Sequence, residues 1–387
     1  MSFEPSATAW EIGFAPPVTV GILSTYPPTA CGLATFSAAL AGGLAAHGAQ
    51  VQIVRVGDGS PSTSDLVVGE LDNGRPASVA AAADLLNQCD VAIVQHEYGV
   101  YGGVDGDEVV EIVASLRIPS IVIAHTVLSE PTAHQRAVLV EIAALADRVV
   151  VMSGAARERL LGGFDVDPAM IDCIPHGAAV PPARVAGSGQ RPMLLTWGLV
   201  GPGKGIERVI DAMPRLQELS ARPRYLVAGS THPKVLAAEG EAYREARIEQ
   251  AWRNGVASSV EFDPDYRDVP TLTAMIQASA AVVLPYDSRD QATSGVLVDA
   301  IAAGRPVIAT AFPHAVEMLA SGAGIVVDHD DPEAMVDALT QLFTDPARAS
   351  KMAAEARRLA PSLGWPVVAA AYLQLADRLL LERTALV

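Results

Sequence analysis

Residues 193–206 read MLLTWGLVGPGKGI, and this stretch decides the fold class. The run Met193–Trp197 is short and apolar, as expected for a buried strand, and the glycines of residues 198–205 predict a loop. A helix is predicted to begin near Ile206. A buried strand that passes through a glycine loop into a helix is the repeating unit of a parallel α/β sheet.

The same unit recurs on both sides of this stretch. Later strands are predicted at Tyr225–Ala228, Val282–Pro285, Val307–Ala309 and Ile325–Val327, and earlier ones at Val18–Leu23, Val51–Val56, Val91–Gln95, Ile118–Ala124 and Val149–Met152. Between the two sets lie Pro181-Pro182 and Gly187-Ser188-Gly189, which indicate a linker.

We therefore predict two α/β domains, over residues 1–186 and 190–362. The last apolar-periodic segment is predicted to cross back onto the first domain as a helix over 366–387. The carboxyl ends of two parallel sheets would then face one another across a cleft, which is where α/β folds bind ligands.

Composition excludes several classes of protein. Of the 387 residues, 50% are hydrophobic and 18% charged, which is too apolar for a disordered chain. The formal charge of −17 disfavours nucleic acid as a partner, and no apolar run predicts membrane insertion. The scattered Cys31, Cys89 and Cys173 and the acidic start of the chain, which does not resemble a signal peptide, predict a cytoplasmic location. Nothing in the sequence indicates an oligomeric state.

Two loops at predicted strand-to-helix junctions are suited to phosphate. Residues 24–32 lead into a helix predicted from about Leu33 to His47, whose free amides favour an anion. The G-x-G-x-x-G spacing is absent, so NAD binding loses support. In the second loop Lys204, one of only three lysines, stands between glycines and could contact a diphosphate. A structural loop and an exposed turn lysine are the alternatives.

Histidines are predicted at the ends of strands in the first domain. His125 follows Ile121–Ala124 and is expected to face the cleft, although a packed histidine at a strand end is the alternative. The segment His96–Gly103 combines a histidine, Glu97, two tyrosines and three glycines, which suits a hydroxyl-rich ligand. A glycine-rich turn packed on its tyrosines would have the same sequence. His176 could be either a cleft residue or a packing residue at the hinge.

Three aspartate pairs have the D-x-D spacing of some divalent-cation sites, and they are Asp105/Asp107, Asp165/Asp167 and Asp263/Asp265. We interpret them as solvated turns, because the first two lie in or beside glycine-containing turns and the third follows a short strand with no histidine or further carboxylate.

The segment from Pro285 to Pro313 is the richest in candidate ligands. Thr293-Ser294-Gly295 is expected to start another helix with anion-receptive amides. Gln291 and Asp299 are eight residues apart, so on one helix they would fall on the same side and could grip two parts of an elongated ligand.

Together these loops resemble the retaining glycosyltransferases of family 4, which have the GT-B architecture of two facing Rossmann-like domains. Residues 198–205 look like the family's diphosphate loop, Gln291 and Asp299 occupy its E-x7-E motif, and His125 matches its cleft histidine. The segments 26–32, 96–103 and 174–177 are similar to those of a bacterial subgroup.

The resemblance implies a soluble transferase that moves a hexose, glucose or mannose, from a UDP- or GDP-sugar to a hydroxyl acceptor on a sugar, glycan or small molecule. It implies retention, no cofactor and no metal. His125, Lys204 and Gln291 would then be catalytic. The remaining implied contacts are to the donor, by Gly32, Gly198, Lys204, Gln291, Thr293, Ser294, Gly295 and Asp299, and to the acceptor, by His96, Glu97 and Tyr98.

The chain departs from the family pattern at Leu199, where an arginine is usual, and at Gln291 and Asp299, where both are usually glutamate. A catalytically silent subunit that binds nucleotide sugar would explain these departures. A sugar-nucleotide epimerase of the same fold is a second alternative, with Glu97 as its acid/base group.

Overall fold

Two parallel sheets organise the protein, whose computed structural model describes residues 17–182 and 191–385. The strands of the first sheet are β1 Thr19–Ser24, β2 Gln50–Val56, β3 Val67–Leu71, β4 Val91–His96, β5 Ser120–Ala124, β6 Arg148–Val151 and β7 Ile171–Cys173. Those of the second are β8 Met193–Trp197, β9 Arg224–Ala228, β10 Val260–Asp263, β11 Ala281–Leu284, β12 Val307–Thr310 and β13 Gly324–Val327.

Helices follow almost every strand. Those of the first half are α1 Gly32–Ala46, α2 Pro76–Leu86, α3 Glu108–Ala114, α4 Ala133–Leu145 and α5 Gly154–Gly163. The later ones are α6 Ile206–Glu218, α7 Pro233–Glu239, α8 Ala242–Arg253, α9 Val269–Ala278, α10 Gly295–Ala302, α11 Pro313–Leu319, α12 Pro332–Thr344, α13 Pro346–Leu363 and α14 Trp365–Ala385. Within the described ranges, no helix is long and apolar enough to cross a membrane.

The strand orders are β3-β2-β1-β4-β5-β6-β7 and β10-β9-β8-β11-β12-β13, and neighbouring strands pair in parallel. Each order reverses once, between β1 and β4 in the first sheet and between β8 and β11 in the second. Ligands of open α/β sheets bind at such switch points. The predicted fold class, two facing Rossmann-like halves, is confirmed.

Most of the predicted strands are present with ends shifted by one or two residues, and Met193–Trp197 has the predicted bounds. Two strands, β3 and β7, were not predicted from the sequence, and β10 was predicted only as a short strand without bounds before Asp263. All three are outer strands of their sheets and carry half-buried or exposed residues. An edge strand has one unpaired side and needs no continuous apolar run.

The last helix packs against the first half of the chain. Val368, Ala369, Tyr372 and Leu375 of α14 lie in one buried cluster with the apolar side of α1. Gly43 of α1 allows this approach, because an added Cβ would lie 2.8 Å from the Cβ of Ala369. The residue boundaries 186, 190 and 362 stay predictions, and Gly187-Ser188-Gly189 lies outside the described residues.

The chain passes between the halves twice, at neighbouring places. Ala178 donates its amide to the carbonyl of Leu363 at 2.8 Å and accepts from the amide of Trp365 at 3.2 Å. The outgoing and returning segments are therefore joined by backbone hydrogen bonds.

Candidate active site

A cavity of about 470 Å³ lies at the switch point of the second sheet. Its lining residues come from the loops after β8 and β11, and they are Pro202, Gly203, Lys204, Tyr286, Asp287, Ser288 and Gln291. These are the two loops that the strand order places on either side of the crevice.

Lys204 is held beside this cavity by the backbone of its loop. Gly203 and Gly205 have φ angles of 87° and 62°, which L side chains rarely adopt. At Gly205 an added Cβ would lie 1.7 Å from the carbonyl oxygen of Pro285, so the two loops touch. The amide of Asp287 also donates to the carbonyl of Gly203 at 2.9 Å.

The ammonium group of Lys204 lies 4.5 Å from the centroid of the Tyr286 ring. Burial lowers the pKa of Lys204 below its ordinary value, since the charged form loses hydration. The only lining carboxylate, Asp287, is paired at 2.6 Å with Arg208 of α6. Among the described residues Lys204 has no ion pair, so an anion in the cavity would find an unneutralised cation.

Tyr286 is a site residue that the sequence analysis did not single out. Its ring stacks on Phe312 with centroids 5.5 Å apart, and its hydroxyl is buried without a hydrogen-bond partner in the described chain. Burial raises its pKa, so the group stays a neutral donor. The sequence signal that could have identified Tyr286 is an aromatic residue two positions after a buried strand.

Gln291 does not lie on the helix with Asp299, which corrects the helical reading of that pair. The helix α10 begins at Gly295, because Ser294 caps it by accepting the amide of Leu297 at 3.3 Å. Gln291 is in the preceding loop and lines the cavity. The eight-residue spacing therefore says nothing about which side of a helix the two residues share.

Elsewhere in this segment, the polar groups of Ser294 are engaged in structural hydrogen bonds. The hydroxyl of Ser294 is buried at its cap position, and its amide donates to Nδ1 of His314 at 2.8 Å. Thr293 is partly exposed. Asp299 is partly exposed as well, and burial of its carboxyl raises the pKa to about 7.

Gly295 touches the first half of the molecule. An added Cβ there would lie 2.8 Å from Nε2 of His176, which packs edge-on against Phe36 of α1. The ring of His176 is fixed by a 2.7 Å hydrogen bond to the carbonyl of Gly177. The surroundings of His176 include both features left open for it, because the ring lies opposite the start of α10 and also packs against Trp365 beside the chain crossing.

His125 lies directly after β5 at the same cleft. Its Nε2 is hydrogen-bonded to Oε1 of Gln95, and its ring packs edge-on against Phe36 at 4.9 Å. Burial and the neighbouring His176 lower its pKa to about 3, so the ring is neutral at physiological pH. With the proton on Nε2, Nδ1 is the ring atom that can accept a hydrogen bond.

Two of the three predicted acceptor contacts are not available. His96 is the last residue of β4 and is 0% exposed, and Tyr98 is 9% exposed with its hydroxyl bonded to the carbonyl of Gln135. Only Glu97 is partly exposed. In this arrangement neither His96 nor Tyr98 can touch an acceptor.

The loop after β1 reaches the cleft as expected. Gly32 is exposed at the first turn of α1, and Sγ of Cys31 caps that helix. The hydroxyl of Thr35, one turn further on, lies 3.4 Å from the hydroxyl of Tyr266 in the second half. Gly198, with φ 118°, opens the opposite loop.

Five of the six paired aspartates contact neighbouring side chains or backbone. Asp105 and Asp107 lie 3.1 and 3.4 Å from the ring nitrogens of His134. Asp263 and Asp265 hold Arg267, and Asp167 accepts the amide of Ala169. Within the described chain, no group of three or more His, Cys, Asp or Glu side chains is arranged so that it could hold a metal ion.

Two family models match this chain. The model described as Glycosyltransferase Family 4 matches residues 30–180, and that described as Glycosyl transferases group 1 matches residues 191–345. Between them they cover both halves of the cleft.

Curated relatives include the D-inositol 3-phosphate glycosyltransferase of Rhodococcus opacus, 29% identical over 58% of this chain and 52% of that protein. A GDP-mannose-dependent alpha-(1-6)-phosphatidylinositol monomannoside mannosyltransferase of Mycolicibacterium smegmatis is 28% identical over 56% and 58% of the two chains. The match thus spans little more than half the length of these relatives.

Solved structures of the same fold include HepE of Anabaena in complex with UDP and glucose, with a TM-score of 0.75 and 15% identity over 93% of this chain and 100% of that one. Sucrose-phosphate synthase of Thermosynechococcus elongatus gives 0.72 and 18% over 94% and 99%. Together, the paired family models and the shared GT-B architecture show that the chain belongs to the group 1, family 4 glycosyltransferases.

Proposed function

We propose that the protein transfers a hexose, glucose or mannose, from a nucleotide-diphosphate sugar to a hydroxyl acceptor. The observation that carries this proposal is Lys204, a partly buried cation without an ion pair in the described chain, beside a cavity at the switch point of the second sheet. A diphosphate would supply the missing negative charge. A relative named as GDP-mannose-dependent and a structural neighbour titled with UDP and glucose support a donor of this class.

The proposed reaction retains configuration. The bond from the sugar's anomeric carbon to the phosphate oxygen breaks, and its electron pair goes to the phosphate. The acceptor oxygen bonds to that carbon on the same face, and its proton passes to the departing phosphate. Lys204 and the loop amides would stabilise the charge that develops on the phosphate. The pairing of Asp287 with Arg208 supports this route, because it leaves no free carboxylate on the cavity wall to act as nucleophile.

His125 would contact the sugar from the first half of the molecule. Its neutral ring offers Nδ1 as an acceptor for a sugar hydroxyl, with Nε2 engaged by Gln95. Gln291 would contact sugar hydroxyls from the cavity side. Asp299 would accept hydrogen bonds from the ribose hydroxyls.

The reaction is proposed to need no divalent metal. Asp263 and Asp265 are paired with Arg267, and Lys204 would carry the charge that a metal would otherwise supply. Transfer should therefore persist in excess EDTA. Loss of activity that Mn²⁺ or Mg²⁺ restores would contradict this part of the proposal.

The function is tested by incubating the protein with UDP- and GDP-hexoses and a library of hydroxyl acceptors, and by measuring the masses of the products by mass spectrometry. An acceptor that gains the mass of a hexose supports the transferase. The departures at Gln291 and Asp299 favour one alternative, a silent subunit, which would bind the donor and form no product. An isomerised donor without acceptor would instead indicate an epimerase.

A further inference from the structure

The N-cap and the first two turns of α5 in the first half contact the second half of the molecule at two places, the loop that carries Gln291 and the helix α11. The side chains of Ser153 and Arg159 and the amides of Gly154 and Ala155 make these contacts, and we call them the α5 clamp. None of these residues belongs to the predicted site.

Two side chains of the clamp bind the carbonyl groups of the residues before and after Gln291. Arg159 donates from Nη1 to the carbonyl of Asp290 at 2.5 Å, and Ser153 donates from Oγ to the carbonyl of Ala292 at 2.5 Å. The carbonyl of Gln291 itself accepts from the amide of His314 at 3.3 Å. Three consecutive carbonyls are therefore fixed, and two of them are fixed from the opposite half.

The clamp is itself anchored on both sides of the cleft. The same Nη1 of Arg159 donates to the carbonyl of Val127, in the loop after β5, at 2.9 Å. The carboxylate of Glu317 on α11 accepts the amides of Gly154 and Ala155 at 2.9 and 2.8 Å. A carboxylate at a helix N-terminus satisfies free amides and opposes the positive end of the helix dipole.

Gln291 lines the same cavity as Lys204. With its backbone held at three successive carbonyls, its remaining freedom is rotation of its own side chain. If the two halves move apart, the bonds from Arg159 and Ser153 break and the loop loses two of these three anchors. Reacting groups that are misplaced by about 1 Å can lose about 100-fold in rate.

We infer that Arg159 and Ser153 are positioning residues that set Gln291 for reaction only when the two halves are closed on each other. The inference rests on the proposed function, because it takes Gln291 as a contact to the donor sugar. It assigns to the first half a task on the donor side, besides holding an acceptor.

The test compares Arg159→Met with Arg157→Met, a matched control. Arg157 lies on the same helix, and its side chain makes no hydrogen bond in the described contacts. We expect Arg159→Met to lower kcat by about ten-fold or more and to leave the Kd of the nucleoside diphosphate within about two-fold. Arg157→Met should change neither. Arg159→Lys keeps one donor and should recover part of the lost kcat.

A double variant separates positioning from a general loss of structure. If Arg159 acts through Gln291, Arg159→Met should have little further effect in the Gln291→Ala background. Losses that multiply, or equal effects of the two arginine variants, would overturn the inference.

Hydrogen exchange tests the clamp without any substrate. Peptides that cover residues 288–298 should exchange faster in Arg159→Met than in Arg157→Met. Peptides from the strands of the second sheet should exchange equally in the two variants. Equal exchange in this segment would overturn the inference even if the protein is a transferase. Faster exchange in a protein that neither binds nor turns over a nucleotide sugar would contradict the proposed function but would still support the contacts of the clamp.

Discussion

Lys204 is the residue whose surroundings most directly indicate a ligand, since it is partly buried and without an ion pair in the described chain. Lys204→Ala should weaken nucleoside-diphosphate binding by roughly ten- to 100-fold, the effect of losing a charged hydrogen bond. Lys351→Ala, which removes an exposed lysine of α13, controls for the change in net charge. Calorimetric affinities that fall equally in the two variants would remove Lys204 from the donor site.

Asp299 predicts a pH dependence of stability. Its carboxyl has a pKa of about 7 in the folded protein, against an ordinary value of 3.8. Between these values the unfolded chain releases a proton that the folded chain keeps, so the free energy of unfolding falls as pH rises from about 4 to 7. The Asp299→Asn variant cannot titrate at this position. Its free energy of unfolding relative to the natural protein should therefore increase as pH rises from about 4 to 7. Denaturant unfolding at several pH values measures the difference, and a constant difference would contradict it.

At the residue scale the sequence predicted the positions of Lys204 and His125, each in a loop after a strand, but it misplaced Gln291 on a helix. The motif spacing suggested one helix, whereas the Ser294 cap starts α10 four residues after Gln291. The contacts of Arg159 and Ser153 could not have been read from the sequence. They join residues 131 and 139 positions apart, and no periodicity spans such distances.

At the scale of elements, the loop between β8 and α6 depends on a contact with the loop after β11. Gly203 and Gly205 both have positive φ, but only at Gly205 would a Cβ collide with Pro285. Gly205→Ala should therefore lower the melting temperature by several degrees and weaken nucleotide binding. Gly203→Ala also puts a side chain at positive φ but meets no neighbouring atom within 4 Å, and it should cost less in both measurements. Equal losses would mean that the collision is relieved by local movement.

The central elements of both sheets were predictable because their strands are buried on both faces and read as continuous apolar runs. The outer strands β3, β7 and β10 lack that signal. Three-residue β7 has only Ile171 buried, so pairing with β6 defines it, and pairing is not visible in a single sequence.

At the scale of the molecule, charge distribution predicts the class of acceptor. The loops after β1, β2, β4, β5 and β6 contain no lysine or arginine. They carry Asp65, Glu97, Asp105, Asp107 and Glu130, and also Asp58, whose charge is paired with Arg55 of β2 at 2.6 Å. Such a rim would repel a phosphate ester and admit a neutral polyol.

Neutral sugars and polyols should therefore give a higher kcat/KM than their monophosphates, and added salt should narrow the gap by screening. Initial rates with matched pairs at low and high ionic strength measure this. A preference for the monophosphate would show that another part of the chain supplies the missing positive charge.

The return of α14 onto α1 has a consequence for biosynthesis. The buried cluster around Phe36 and Leu40 includes Tyr372 and Leu375, more than 300 positions later in the chain. A nascent chain leaves the ribosome from its N-terminus, so the first half emerges long before the helix that completes its core. The part of α1 that α14 covers must stay uncovered until residues 365–385 have been translated. The second half can close its own sheet earlier, and the order of maturation is then the reverse of the order of synthesis.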